Sequence, residues 1–194
     1  MFYPNTPQLV EFGVGPAAPA GWFGVDAPDG DGYPFLQAPV GSEYWYVVDS
    51  THVAKYIKVK NDGRDDDWCI VSGVISERVV LADFTDGGAA AGTVALATQI
   101  PAGAFVTRAY LLNVTGFAGN TSATAALGDG TDVDRYGAAS LPSVFADAVA
   151  VDMGALSGTA IHTAAKTPTL TVTGGSDFGA VSAGAATVRI FYTL

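Results

Sequence analysis

Apolar and polar positions alternate with a two-residue period through most of the chain beyond residue 41, and alternation of that period marks half-buried strands. The clearest run is Thr169-Leu170-Thr171-Val172-Thr173. Between residues 77 and 194 the pattern predicts eight strands separated by turn residues: Arg78 to Phe84, Gly92 to Thr98, Phe105 to Val114, Ser122 to Leu127, Val144 to Asp152, Thr159 to Ala164, Thr169 to Thr173 and Ala186 to Thr193. No segment holds a 3.6-residue apolar period with caps at its ends. The Ala-rich stretch Phe145 to Val151 has helical propensity, but its interleaved valines favour a strand. Eight short strands in this length predict an all-β fold, a β-sandwich of which the jelly roll is one form.

Residues 41–76 read as a small β meander. Tyr44 to Asp49 and Ala54 to Lys60 are strand-like, and in the second Ile57 and Val59 alternate with Lys58 and Lys60, which predicts the two aliphatics inward. The turn Asn61-Asp62-Gly63 leads to a short strand at Trp68 to Val71. Two or three strands cannot hold themselves together, so the meander needs packing partners.

Residues 1–40 have a different pattern. Seven of the ten prolines lie here (Pro4, Pro7, Pro16, Pro19, Pro28, Pro34, Pro39), and there is no Lys or Arg. Proline fixes φ and removes a donor, which predicts neither a helix nor a central strand. The segment also carries Phe2, Tyr3, Phe12, Trp22, Phe23, Tyr33 and Phe35, and aromatics at that density favour burial. An extended arm satisfies both facts if its aromatics dock on a partner's surface. An arm folded back on its own domain is the plainer alternative. The domain reading is therefore an arm over 1–40, a meander over 41–76 and a sandwich over 77–194.

Composition narrows the function. Hydrophobic residues make up 49% and charged residues 14%, so the chain can bury a core, and the weight of Ala predicts one of small and β-branched side chains. A formal charge of −10 disfavours nucleic acid and anionic membrane surfaces as partners. The uncharged stretch Ala89 to Val106 is too polar and too broken by Gly and Pro to span a bilayer. Met1 to Val10 lacks the basic and apolar regions of a signal peptide. The one cysteine, Cys69, lies between Trp68 and Ile70 and is read as a small buried hydrophobe.

Candidate chemistry is sparse. Asp62 to Asp67 and Asp129 to Asp134 share the form D-G-x-D-x-D. Asp129, Asp132 and Asp134 are weak candidates for a hard cation such as calcium, since the spacing is not that of an EF-hand and no distal Glu follows. Asp-Gly turns whose carboxylates accept backbone amides explain the same pattern without a metal, so no metal site and no cofactor are assigned. His52 and His162 fall in no nucleophile or zinc pattern, and Gly13-Val14-Gly15-Pro16 lacks the amide and lysine of a phosphate loop. No catalytic residue is assigned, and the chain is not read as an enzyme.

Two stretches carry a resemblance. Ala38-Pro39-Val40-Gly41-Ser42, Val53 to Gly63 and Asp65-Asp66-Asp67-Trp68 resemble the small β module of phage head-fibre and decoration proteins. Ile100-Pro101-Ala102-Gly103-Ala104-Phe105-Val106-Thr107-Arg108 and Gly128 to Tyr136 are similar to a β-sandwich domain of phage virion proteins. The resemblance is to the capsid decoration and head-fibre proteins of tailed bacteriophages. It implies a homotrimer on the outer capsid surface of the virion, bound to the major capsid protein through the N-terminal arm. Phe2, Tyr3, Phe12, Trp22 and Phe23 are the candidate contacts. The absence of collagen-like and heptad repeats favours a compact knob over a long fibre. The alternative is a host-surface glycan-binding module of a fibre, which requires exposed sandwich aromatics, with Phe117, Tyr136, Phe178 and Tyr192 as candidates.

Overall fold

A computed structural model describes residues 38–47, 52–60, 67–138, 140–157 and 161–194, together with the backbone course of 8–11 and 20–24. The chain divides into two compact units, Met1–Val74 with Thr193–Leu194, and Ile75–Tyr192.

In the first unit the strands are β1 (Gln8–Glu11), β2 (Ala20–Gly24), β3 (Glu43–Val47), β4 (His52–Lys58) and the start of β5 (Trp68–Val80). They lie in sequence order, with β2 parallel to β3 and antiparallel pairs at β1–β2 and β3–β4. The prolines of residues 1–40 do not exclude a central strand, because β2 lies between β1 and β3. The reason is their placement. All seven fall outside Gln8–Glu11 and Ala20–Gly24, so no ladder position loses its donor.

The core of this unit is small. Ala38, Tyr44 and Trp68 are buried, Tyr46 and Tyr56 pack against them, and Tyr44 meets Trp68 edge-on at 6.1 Å. Two sequence expectations invert here. Lys58 is 1% exposed while Val59 is 48% exposed, so β4 turns its lysine inward. The Lys58 ammonium lies 5.8 Å from the centre of the Trp68 ring. Burial pushes its pKa down, and the charge of fully buried Asp67 opposes that shift. Cys69 is exposed rather than buried. Neighbours on a strand face opposite sides, and Trp68 takes the inward place beside Tyr44 and Lys58. The Pro39–Ser42 turn is pinned to β4: Ser42 N donates to Pro39 O, Gly41 N to Lys58 O and Lys58 N to Ser42 O. Gly41 sits at φ 92°, where a side chain is strained.

The second unit is a β-sandwich. Its strands are the remainder of β5, then β6 (Thr85–Asp86), β7 (Ala91–Ala95), β8 (Phe105–Thr115), β9 (Ala123–Gly128), β10 (Ala148–Asp152), β11 (Thr169–Gly174) and β12 (Ala185–Thr193). One sheet runs β5-β12-β8-β10 and the other β6-β7-β11-β9, with a bridge from Thr124 to Ser143 extending the second beyond β9. Apart from the step from β9 to Ser143 and the short β6–β7 hairpin, each connection crosses between sheets. That order is a jelly roll. Between the sheets lie Ile75, Val79, Val94, Leu111, Leu127, Leu170, Val172, Val188 and Ile190, the small and branched core that the composition predicts.

β11 keeps strict alternation of burial, and β12 does so from Ala186 onward. β8 does not: its inward residues Val106, Ala109, Leu111 and Val114 are spaced three, two and three apart. Each three-residue step breaks the alternation, yet across the second the register against β10 runs unshifted from Tyr110 to Val114. Asn113 within the second has φ 49°, and its carbonyl is taken by Arg78 Nη1 at 2.9 Å. Two expected strands fail. Arg78 to Phe84 is no separate strand, since β5 runs on to Val80 and ends in a 3-10 turn, Leu81–Asp83. Of Thr159 to Ala164, residues 161–164 form no strand, because their backbone bonds run to the loop before β8: His162 N to Ala104 O and Gly103 N to His162 O. Residues 159 and 160 lie outside the described residues.

Candidate functional site

The main polar cluster of the second unit is built where three loops converge, 96–104, 129–138 and 153–168. The acidic turn after β9 forms because Asp129 Oδ1 accepts the amides of Thr131 (2.9 Å) and Asp132 (2.8 Å), while Asp129 N donates to Asp132 O. Gly130 supplies the positive φ (83°) that the turn requires. The other carboxylate oxygen, Oδ2, lies 3.2 Å from Lys166 Nζ and 3.7 Å from Arg135 Nε. The Asp129 side chain is only 3% exposed. Burial raises its pKa, but the two amides and Lys166 outweigh burial and hold it down at about 2.

Beyond the turn, the Tyr136 hydroxyl meets His162 Nε2 at 2.8 Å, with both side chains buried and their rings edge to face. Burial pushes the Tyr136 phenol up, and the Asp129 charge adds to the shift. His162 is pushed down by burial and then by the positive charge of Arg135, so the imidazole is held neutral. Backbone bonds complete the assembly. Tyr136 N donates to Leu127 O, Lys166 and Ile100 exchange two bonds, and Ser157 N donates to Gly137 O.

Chemically this is a clamp. Each charged or titratable group faces a neighbour inside the protein. Of the weak cation candidates, Asp129 is committed to amides and cations, whereas Asp132 and Asp134 only brace the turn, with Asp134 N donating to Asp132 Oδ1 at 3.4 Å. Among the described residues no three His, Cys, Asp or Glu side chains come together to hold a metal ion. Residues 62–66 of the other acidic turn lie outside the described residues.

The remaining candidates separate clearly. Phe2, Tyr3 and Phe12 lie outside the described residues, and Trp22 and Phe23 are placed by the backbone of β2 alone. Phe117, Tyr136, Phe178 and Tyr192 are between 0 and 4% exposed, so none forms a sugar-stacking surface. They are core residues: Phe84 packs on Phe117 at 5.5 Å and on Phe178 at 5.8 Å. The sequence did not single out the Tyr136–His162 pair, the Lys166 contact or the role of Arg135. The one available signal was that Arg135 and Tyr136 directly follow the acidic turn.

No protein-family model matches the chain, and no curated protein matches it. Among solved structures, a chain of the cyanophage Pam1 capsid asymmetric unit is similar at 19% identity and a TM-score of 0.41, over 63% of this chain and 84% of that one.

Proposed function

We propose that this chain is a structural protein of a tailed-phage particle, a decoration (cement) protein or short head fibre on the outer capsid surface that stabilises the shell by bridging subunits. The observation that carries the reading is the first module. The Pro39–Ser42 turn, the Lys55-Tyr56-Ile57-Lys58 strand and the Asp67-Trp68 step, the residues that resemble head-fibre and decoration proteins, interlock around Tyr44, Lys58 and Trp68 as one small unit. The polar cluster of the sandwich adds rigidity to its loop end, which suits a binding role. In this reading the protein acts as a homotrimer. Phe2, Tyr3, Phe12, Trp22 and Phe23 contact the major capsid protein, and three linked arms engaging together raise the effective affinity.

Co-sedimentation of the purified full chain with particles stripped of it tests the reading. The wild type should pellet with particles and raise their melting temperature. The double variant Phe2→Ala/Tyr3→Ala should bind at least tenfold more weakly while keeping the wild-type melting curve. Wild-type chain that stays in the supernatant would refute the reading. Removing residues 1–25 is a poorer test, because it also deletes β1 and β2.

A further inference from the structure

The outer face of the β5-β12-β8-β10 sheet differs from the rest of this acidic protein. Inward residues on β5 (Ile75, Val79) and β12 (Val188, Ile190) fix Ser76, Arg78, Arg189 and Phe191 on the opposite face. Arg108 and Tyr110 of β8 join them. Phe191 packs edge-on against Tyr110 at 6.2 Å, and the Arg108 guanidinium lies 4.4 Å from the centre of the Tyr110 ring. Three of the five arginines in the chain therefore share one sheet face with an aromatic pair. Their internal bonds are few for groups with five donors each. Arg78 reaches Asn113 O, Arg108 reaches Asp152 Oδ2 at 3.0 Å with both side chains more than half exposed, and Arg189 reaches Ser76 Oγ at 3.4 Å. Arg189 Nε is buried and has no hydrogen-bond partner among the described residues, so that atom is not one a second copy reaches. Arginine and aromatic side chains together are the composition of interface centres.

Charge selects the occupant. The chain carries −10 overall, so two copies repel wherever acidic surface meets acidic surface. A contact that sets this face against the acidic surface of a neighbour removes that repulsion. Two copies of this face set against each other would bring arginines together. The favourable contact is therefore heterologous, and a heterologous contact that closes makes a ring.

We propose that the Arg78–Arg108–Arg189 face with Tyr110 and Phe191 is a self-association surface that receives the carboxylate-bearing surface of a second copy of this chain. The inference rests on the trimer in the functional reading and gives that trimer its contact.

The test is the solution mass of the full chain by light scattering against salt. The wild type should run near three times 19.8 kDa at low salt and dissociate as NaCl rises. Arg108→Glu/Arg189→Glu should weaken association at least tenfold, and Arg108→Lys/Arg189→Lys should retain part of it. If the double reversal does not fold, Arg108→Glu alone serves, because that side chain is 58% exposed. A monomeric wild type, or an assembly indifferent to both salt and the reversals, would overturn the inference. Particle co-sedimentation reads separately: a monomeric chain that still binds particles sinks this contact and leaves the decoration role standing.

Discussion

Replacing Asp129 by Asn alters one buried oxygen and almost nothing in shape. The retained carbonyl can still accept the amides of Thr131 and Asp132. The new NH2 must then face Lys166 Nζ and Arg135 Nε, where donor opposes donor. A carboxyl held at about 2 rather than its ordinary 3.8 is worth about 2 kcal/mol to the folded state at neutral pH. Leaving two cations beside a neutral amide adds to that loss, so Asp129→Asn should cost about 2–3 kcal/mol. In a unit of this size that is a fall of about 10 °C in melting temperature. The pH dependence carries a sign. A depressed carboxyl stabilises fully above the unfolded value and loses its effect as pH falls through the folded one. The gap between wild type and variant should be constant from pH 7 to 5, narrow below about 4 and be nearly closed at pH 2. Urea titrations of both proteins across that range measure it. A gap under about 0.5 kcal/mol at pH 7, or one that does not shrink in acid, would refute the clamp.

The imidazole of His162 works in the opposite part of the pH scale. Its folded pKa lies below the ordinary 6.5, so the unfolded chain takes up a proton first and stability drains as pH falls below 6.5. The advantage of wild type over His162→Gln should therefore shrink between pH 7.5 and 5, and a constant advantage in urea melts would count against a buried neutral ring. Gly92→Ala should destabilise by about 1–3 kcal/mol in thermal melts, because its Cβ would stand 2.2 Å from Cε1 of Phe178; an unchanged melting temperature would mean that ring moves freely. Cys69 should react with a thiol reagent in the native protein without denaturant, and protection until denaturant is added would contradict its exposure.

Strand positions in the second unit were legible because alternation there reports a single buried face. Thr169 to Thr173 falls within β11, and Ala186 to Thr193 within β12. The Arg78 to Phe84 prediction failed because Arg78 to Val80 prolong a strand that begins at Trp68, and local pattern does not record that continuity. Parity was the weak point of the first module. With apolar residues on both sides of Cys69, alternation fits either face, and only the packing of Trp68 on Tyr44 decides between them. Lys58 was assigned outward by its charge, although its inward place depends on an aromatic ring and on Asp67, neither of them a neighbour in sequence. The Tyr136–His162 bond joins residues 26 apart on two loops, and no local spacing encodes such a meeting.

The pairing of β5 with β12 has a consequence for how such a chain can change. Leu81 N bonds Gly184 O, and Leu194 N bonds Val71 O, so the two strands run side by side in opposite senses along their length. The chain thus passes into the sandwich at Ile75 and out of it at Tyr192 on neighbouring strands of one sheet. A segment whose entry and exit are that close behaves as a cassette. The whole sandwich could be exchanged for another domain with neighbouring ends without altering the span that the first unit must bridge. Exchange of the sandwich would then leave the pairing of β1 to β4 untouched.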